Sequence, residues 1–181
     1  MPSIFVIILN WNGREDTLAC LRSMQGINYA NYSVIVVDNG STDDAVAAIK
    51  ANYPNIVIIE AGENLGFSGG NNLGIKYALT HGAEYVLLLN NDTEVDSQLL
   101  SAFVAAAERH PGAGALSARI YYHSDPQRIW YAGGIWSNEL RRFIQVGEGV
   151  LDSGTEFSSE TQTDYACGCA FFVSAQRLRE L

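Results

Sequence analysis

The chain has 181 residues, of which 48% are hydrophobic, and its formal net charge is −9. This length suffices for one hydrophobic core, and the composition excludes a disordered chain. The acidic balance, with no basic run beyond Arg141 and Arg142, argues against a nucleic-acid partner, because phosphate binding requires a basic surface.

The sequence shows no pattern of a membrane helix or of a secretion signal. No apolar run approaches the roughly 18 residues that a membrane helix needs, and MPSIFVIILN lacks the basic region and cleavage site of a signal peptide. We therefore expect no transmembrane segment in this chain and a cytoplasmic location, which includes the inner face of the membrane. The cysteines form no zinc-binding pattern and are predicted to be core thiols: Cys20, Cys167 and Cys169.

The first 120 residues alternate between short runs of Val, Ile and Leu and longer segments with helical spacing. Strands are predicted, in chain order, at 4–10, 33–38, 56–60, 84–90 and 113–120. Ser41 is expected to be the N-cap of the helix after the second strand, with Asp43 and Asp44 in its first turn. Leu99, Leu100, Phe103, Val104 and Ala107 share one face of a later helix. This alternation predicts an α/β fold, with a mostly parallel sheet covered by helices on both faces.

The pattern changes after residue 120. Two segments rich in aromatic and β-branched residues flank a polar turn around Asn138, which predicts an antiparallel hairpin. The Ser- and Thr-rich segment 151–164 is predicted to be a mobile surface loop. A further strand is expected within 165–173, followed by a short helix that begins at Ser174.

Four of the predicted strands end in polar residues: Asn10, Asp38, Glu60 and Asn90. The carboxyl ends of parallel strands lie along one edge of a sheet, and open α/β sheets bind ligands outside that edge. Asn and Asp are also good turn formers, so each residue alone is compatible with an ordinary turn. Taken together, the four ends favour a binding site.

Most nucleotide-binding and catalytic motifs do not occur. The glycine cluster NLGFSGGNNLG lacks the G-x-G-x-x-G order, and there is neither a P-loop nor a G-x-S-x-G nucleophile elbow. What remains is Asp92, flanked by the amides of Asn90 and Asn91. Mg²⁺ prefers oxygen ligands and often takes only one or two from the protein while a substrate diphosphate supplies others. The amides could hydrogen-bond ribose hydroxyls.

Four segments occur in a characteristic order: FVIILNWNG, VIVVDNGSTD, NLGFSGGNNLGI and LLLNNDTEVD. Together they resemble the family-two inverting glycosyltransferases of the GT-A fold, and in particular the rhamnosyltransferase-like branch. The resemblance covers residues 4 to about 96, and YACGCAFFVSAQRL extends it to the end of the chain. It implies a GT-A type nucleotide-diphospho-sugar-binding sheet with a small antiparallel C-terminal part.

The resemblance also implies one domain, 1–181, truncated at its C-terminus, in which 1–120 is the nucleotide-binding part and 121–181 the start of the acceptor part. The residues implied to bind the nucleotide sugar are Asn10, Trp11, Asn12, Asp38, Asn64, Gly66, Asn72, Asn90, Asn91 and Asp92. Asp92, in the place of the last carboxylate of the family's D-x-D motif, is the implied ligand of Mg²⁺ or Mn²⁺. Asn90 replaces the first carboxylate of that motif.

The implied function is transfer of a sugar, with inversion, from a thymidine- or uridine-diphosphate sugar to a glycan or lipid-linked acceptor. The family's catalytic base is expected beyond Leu181, and within the chain Glu94 and Asp164 are alternatives. Two other functions stay open. One is a nonenzymatic nucleotide-sugar-binding module, and the other is a sugar-phosphate nucleotidyltransferase, which LNWNGREDT disfavours because it has only one glycine and one arginine.

Overall fold

The structure, a computed structural model, describes residues 1–181 and contains ten strands and five helices. In chain order these elements are β1 (Ile4–Asn10), α1 (Arg14–Met24), β2 (Tyr32–Asp38), α2 (Ala45–Asn52), β3 (Val57–Glu60), α3 (Gly66–Thr80), β4 (Tyr85–Asn90), α4 (Leu99–Arg109), β5 (Leu116–Ser117), β6 (Ile120–Tyr122), β7 (Asp125–Tyr131), β8 (Gly134–Ser137), β9 (Arg142–Gln145), β10 (Ala170–Ser174) and α5 (Ala175–Arg179).

A six-stranded sheet with the order β3-β2-β1-β4-β10-β5 forms the centre of the molecule. The first four strands pair in parallel, and each is followed by a helix, as the alternating pattern predicts. β10 pairs antiparallel with both β4 and β5. The predicted α/β class, with a mostly parallel sheet and a smaller antiparallel part, is therefore confirmed.

The alternation of side chains along each strand builds two cores, one on each face of the sheet. In β1, Ile4, Val6 and Ile8 belong to a buried cluster that includes residues of α1, α2 and α4. Phe5 and Ile7 belong to the cluster on the other face, which includes residues of α3 and α5. Because both faces are covered, these strands contain almost no polar residue until they end.

The strand predicted over 113–120 is wrong in its extent. Only Leu116–Ser117 pairs in the main sheet, with β10, and Ile120–Tyr122 pairs instead with β7. β5 lies at the edge of the sheet, and its ladder with β10 covers only two residues. The apolar run is thus divided between two sheets.

The C-terminal third contains the predicted hairpin. β8 and β9 pair antiparallel, and Ser137 lies opposite Arg142 on either side of the turn at 138–141. The segment 151–164 contains no helix and no strand apart from an isolated bridge between Leu151 and Arg128. Its mobility stays a prediction.

Two predicted helix starts have opposite outcomes. Ser174 caps α5, and its side chain accepts a hydrogen bond from the backbone N–H of Arg177, as predicted. Ser41 does not cap α2, which begins only at Ala45 after Asp44. The Ser41 hydroxyl instead accepts hydrogen bonds from Asn10 Nδ2, at the end of β1, and from the backbone N–H of Asn12, in the loop that follows.

The helices and the cysteines agree with the sequence analysis. None of the helices has the length and hydropathy to cross a bilayer. All three cysteines are free, with Cys20 and Cys167 buried and Cys169 half-buried. Burial raises the pKa of the Cys20 and Cys169 thiols to about 12, so both stay protonated at neutral pH and neither is suited to act as a nucleophile.

Phe172 of β10 anchors the packing between the sheet and α4. Its ring stacks on Tyr85 and on Phe103, with a centroid distance of 4.8 Å in each case. Only 1% of Phe172 is exposed, so its removal would leave a cavity between β4 and α4.

We predict that Phe172→Ala lowers the free energy of unfolding by about 3–5 kcal/mol, which is typical of a buried Phe truncation. Urea denaturation followed by circular dichroism measures this change. Phe143, which is 43% exposed on β9, provides the matched control. Equal losses in Phe172→Ala and Phe143→Ala would contradict the assignment of Phe172 to the core.

Candidate functional site

The polar ends of the central strands meet at the carboxyl edge of the sheet. Asn10 at the end of β1 lies opposite Asp38 at the end of β2, and Asn90 at the end of β4 lies opposite Leu9. Glu60 departs from the expectation, because β3 is the edge strand and Glu60 forms an exposed ion pair with Lys50 at 2.8 Å. Three of the four polar strand ends therefore build the site.

Asn10 is the centre of this edge, and its side chain is fully hydrogen-bonded. Its Nδ2 donates to Asp38 Oδ1 at 2.9 Å and to Ser41 Oγ at 3.0 Å. Its Oδ1 accepts from the hydroxyl of Thr17, on α1, at 2.8 Å. Asn10 is 0% exposed and Asp38 is 5% exposed. One buried amide thus connects the ends of β1 and β2 with the first helix.

Hydrogen bonds connect the loop after β1 with the loop after β2. Ser41 donates its backbone N–H to Asp38 Oδ2 at 3.1 Å and accepts the N–H of Asn12 on its hydroxyl at 3.0 Å. The Oδ1 of Asn12 accepts the N–H of Thr42 at 2.8 Å. Asn12 adopts a φ of 51°, a left-handed conformation that Asn tolerates better than most residues. Trp11, beside it, is 56% exposed.

A second set of contacts joins the loop after β2 to the loop before α3. The side chain of Asn39 donates to Asn64 Oδ1 at 3.0 Å and accepts the N–H of Leu65 at 3.0 Å. Asn64 Oδ1 also accepts the N–H of Gly66 at 2.8 Å. A Cβ added to Gly40, which has a φ of +75°, would lie 2.6 Å from the carbonyl carbon of Glu63. The backbones of the two loops are therefore in direct contact.

The loop after β4 carries Asn91 and Asp92. Asn91 donates its Nδ2 to the hydroxyl of Thr17 at 3.0 Å. Asn90 is held through its backbone, whose N–H donates to the carbonyl of Cys169 at 2.9 Å and whose carbonyl accepts the hydroxyl of Thr93 at 2.6 Å. Asp92 is exposed and forms neither a hydrogen bond nor an ion pair. Its carboxylate is thus free to bind a ligand.

Asp92 lines an acidic cavity of about 120 Å³. Asp16 and Glu94 also line it, and Glu94 Oε1 lies 3.2 Å from Nε2 of His123. No three His, Cys, Asp or Glu residues come together in a way that could hold a metal ion. The cavity is therefore acidic but contains no closed set of metal ligands.

The structure thus brings most of the predicted site residues to one edge. Asn10, Asn12 and Asp38 share one hydrogen-bonded network, and Asn91 joins it through Thr17. The other predicted residues have no hydrogen bond to this network. Asn64 and Gly66 form the second loop contact, while Trp11, Asn72 and Asp92 are exposed, and none of these three makes a side-chain hydrogen bond.

Sequence reasoning missed Thr17, Ser41 and Asn39. Thr17 could have been found, because it occupies the same face of α1 as Cys20 and Leu21, and a polar residue on a buried helical face needs a partner. Ser41 and Asn39 lie in a segment whose turn-forming residues have no periodic pattern. Their roles depend on the neighbouring loops.

This sheet, with its antiparallel part, is of the GT-A type, as the solved structures that it resembles indicate. The pattern of the family described as "Glycosyl transferase family 2" matches residues 5–174. The chain belongs to this family, as its four sequence segments indicate.

One curated relative is the dTDP-rhamnosyl transferase RfbF of Shigella flexneri, which is 24% identical over 166 residues, covering 87% of this chain and 54% of the relative. S. aureus TarS 1–349 in complex with UDP-GlcNAc is a solved structure with a TM-score of 0.57 and 23% identity, covering 65% of this chain and 34% of that chain. The mannosyltransferase PcManGT from Pyrobaculum calidifontis, in complex with GDP-Man and Mn²⁺, has a TM-score of 0.56 and 23% identity, covering 67% and 36%. The chain spans about half or less of the length of the curated relatives it matches.

We predict that Asn10→Ala lowers the free energy of unfolding by about 1–3 kcal/mol, because Thr17 and the buried Asp38 each lose one hydrogen bond. Chemical denaturation measures the loss. Asn72→Ala is the matched control. Asn72 is exposed on α3, so its replacement should leave stability unchanged or slightly higher, since Ala has the better helix propensity. Equal stability of Asn10→Ala and the native chain would show that the buried network contributes nothing.

Proposed function

We propose that this chain binds a nucleoside diphosphate sugar of the thymidine or uridine type at the carboxyl edge of its sheet. The protein it belongs to would transfer the sugar, with inversion, to a glycan or lipid-linked acceptor. One observation carries the proposal: the network of Asn10, Asn12 and Asp38 lies at the same edge as Asn91 and Asp92. The names of RfbF, which specifies dTDP, and of the TarS complex with UDP-GlcNAc support the donor class.

Asp38 is the proposed partner of the base or ribose. A carboxylate has about four lone-pair positions, and Asp38 uses one on Asn10 and one on the Ser41 N–H. Positions on both oxygens are therefore left for a ligand hydroxyl or N–H group. Trp11 and Asn12 would line the same pocket, where the exposed indole ring offers an apolar surface to the base.

The proposed diphosphate and sugar contacts come from the other two loops. Asn64, Gly66 and Asn72, in the segment before and within α3, would border the sugar and the diphosphate. A glycine at 66 lets the ligand approach the backbone closely, and Gly66 is exposed with a φ of +71°. Asn90 and Asn91 would hydrogen-bond ribose hydroxyls, since an amide both donates and accepts.

A metal ion, Mg²⁺ or Mn²⁺, is part of the proposal, with Asp92 as its protein ligand. The free carboxylate of Asp92 suits a cation that takes most of its oxygen ligands from a substrate diphosphate and water. When bound, the cation would neutralise charge on the departing diphosphate. The complex of PcManGT with GDP-Man and Mn²⁺ supports this choice of cofactor for the fold.

The proposed reaction is a single displacement, in which the acceptor oxygen attacks the anomeric carbon and the bond to the diphosphate breaks. A base must take the proton of the acceptor hydroxyl. Within the chain, Glu94 contacts His123 and Asp164 Oδ2 accepts the N–H of Trp136 at 3.0 Å, and each carboxylate keeps oxygen positions that could accept that proton. A base outside residues 1–181 stays our prediction. A cytoplasmic site of action, reaching to the inner membrane face for a lipid-linked acceptor, is also part of the proposal.

The proposal predicts that uridine or thymidine diphosphate binds this chain, and binds more tightly with Mg²⁺ or Mn²⁺, because a cation held by Asp92 would offset the charge of the diphosphate. Isothermal titration calorimetry with metal, and again with chelator, measures both effects. A ligand at 100 times its dissociation constant would also stabilise the fold by about 2.7 kcal/mol. Equal affinity in metal and chelator would remove the metal role, and no binding of either nucleotide would refute the donor site.

Asp38→Asn should weaken nucleotide binding by about tenfold or more, because a hydrogen bond to a charged group contributes about 1.5–3 kcal/mol. Asn is preferable to Ala here, since Asp38 is buried and one amide oxygen can still accept from Asn10. Calorimetry measures the affinity and circular dichroism checks the fold. Asp125→Asn, at the start of β7 in a different sheet, is the control. Unchanged affinity in a folded Asp38→Asn protein would exclude Asp38 as a nucleotide ligand.

A further inference from the structure

A chain of three hydrogen bonds crosses the site beneath its exposed groups. Asn91 Nδ2 donates to Thr17 Oγ1 at 3.0 Å, Thr17 Oγ1 donates to Asn10 Oδ1 at 2.8 Å, and Asn10 Nδ2 donates to Asp38 Oδ1 at 2.9 Å. The chain begins in the loop after β4 and ends on the carboxylate after β2. It therefore joins the two parts of the proposed donor site through a residue of α1.

The direction of every bond in this chain follows from Asp38. An ionised carboxylate only accepts, so Asn10 must present its Nδ2 to Asp38 and its Oδ1 to Thr17. The single hydroxyl proton of Thr17 is then used on Asn10, and its oxygen can only accept from Asn91. Thr17 is 0% exposed, so no water can replace either bond. Through these bonds, Asp38 determines that Asn91 presents its Nδ2, and not its Oδ1, to Thr17.

The oriented Asn91 amide keeps one free acceptor, its Oδ1. Both the Nδ2 of Asn91 and the hydroxyl of Thr17 are engaged, whereas the Oδ1 of Asn91 makes no hydrogen bond within the protein. Asn91 is half-buried and precedes the exposed, unpaired Asp92. Two oxygen acceptors, one amide and one carboxylate, are therefore adjacent in sequence and free of internal partners.

Gly13 leaves the space that the Asn91 amide occupies. A Cβ added to Gly13 would lie 2.4 Å from Asn91 Nδ2, a distance that forces the amide to move. The φ of Gly13 is −122°, which any residue can adopt, so its backbone does not require glycine. The close approach to Asn91 is the feature of this position that disfavours a side chain.

We propose that Thr17 and Gly13 are positioning residues of the donor site, which hold Asn91 beside Asp92 and couple both to Asp38. The inference rests on the proposed binding of a nucleoside diphosphate with a divalent cation. It makes the nucleoside end and the diphosphate end of the site parts of one buried network rather than two independent loops. A purely structural Thr17 would support only the packing of α1.

Two pairs of variants test this proposal by calorimetry with uridine and thymidine diphosphate and Mn²⁺. Thr17→Val keeps the volume and loses the hydroxyl, and it should weaken binding by about tenfold; Thr17→Ser keeps the hydroxyl and should stay within about threefold of the native chain. Gly13→Ala should lose most of the metal-dependent gain in affinity for both diphosphates, because its Cβ would displace the Asn91 amide beside Asp92. Gly114→Ala is the matched control, since a Cβ there meets no atom within 4 Å.

A measurement without ligand separates this inference from the proposed function. Hydrogen exchange of the Asn91 side-chain amide, observed by nitrogen-15 NMR, should be slower than that of Asn72 in the native chain and should accelerate in Thr17→Val. If the native chain binds no nucleotide, the proposed function fails and the amide exchange alone decides the positioning role. Native affinity and native exchange in folded Thr17→Val, or native metal dependence in Gly13→Ala, would overturn the inference. Should Thr17→Val not fold, Gly13→Ala and Thr17→Ser decide it.

Discussion

The parallel register of β1 against β2 and β4 is the constraint on which the rest of the structure depends. It places Asn10 opposite Asp38 and Leu9 opposite Asn90, so that three strands end together. A slip of β1 by one residue would exchange its two faces and turn Asn10 away from α1. The buried amide would then lose Thr17, and an unpaired buried amide costs about 1–3 kcal/mol. The polar site therefore helps the core to specify the register.

The site is a continuation of one core rather than an addition to it. Ile4, Val6 and Ile8 face α1, and the same alternation brings Asn10 to the same helix. The face of α1 that buries Cys20 and Leu21 also carries Thr17, so one helix packs the apolar part of the sheet and orients its polar end. The stability of the core and the geometry of the polar edge are coupled, because both depend on the packing of α1.

Much of the fold could be predicted from the sequence, since strands buried on both faces are continuous apolar runs. The prediction of β1 as 4–10 agrees with the structure, whereas the run 113–120 is divided between two sheets, since Leu116–Ser117 pairs with β10 and Ile120 pairs with β7. The candidate site was predicted mainly from motif order. Ser41 was misassigned because the same hydroxyl that suits a helix cap also suits the N–H of Asn12, and only the folded loops decide between them.

The contact of Gly40 with Glu63 and Asn64 has a consequence for the variation of these loops. The two backbones approach so closely that a side chain at 40 would collide with both Glu63 and Asn64. Asn39 adds side-chain bonds between the same two segments. If either loop alone were replaced by that of another family member, the close contact between the two backbones and the Asn39 hydrogen bonds would be lost. The segments 39–42 and 61–66 therefore constrain each other, and a chimaera that replaces one of them must replace both together.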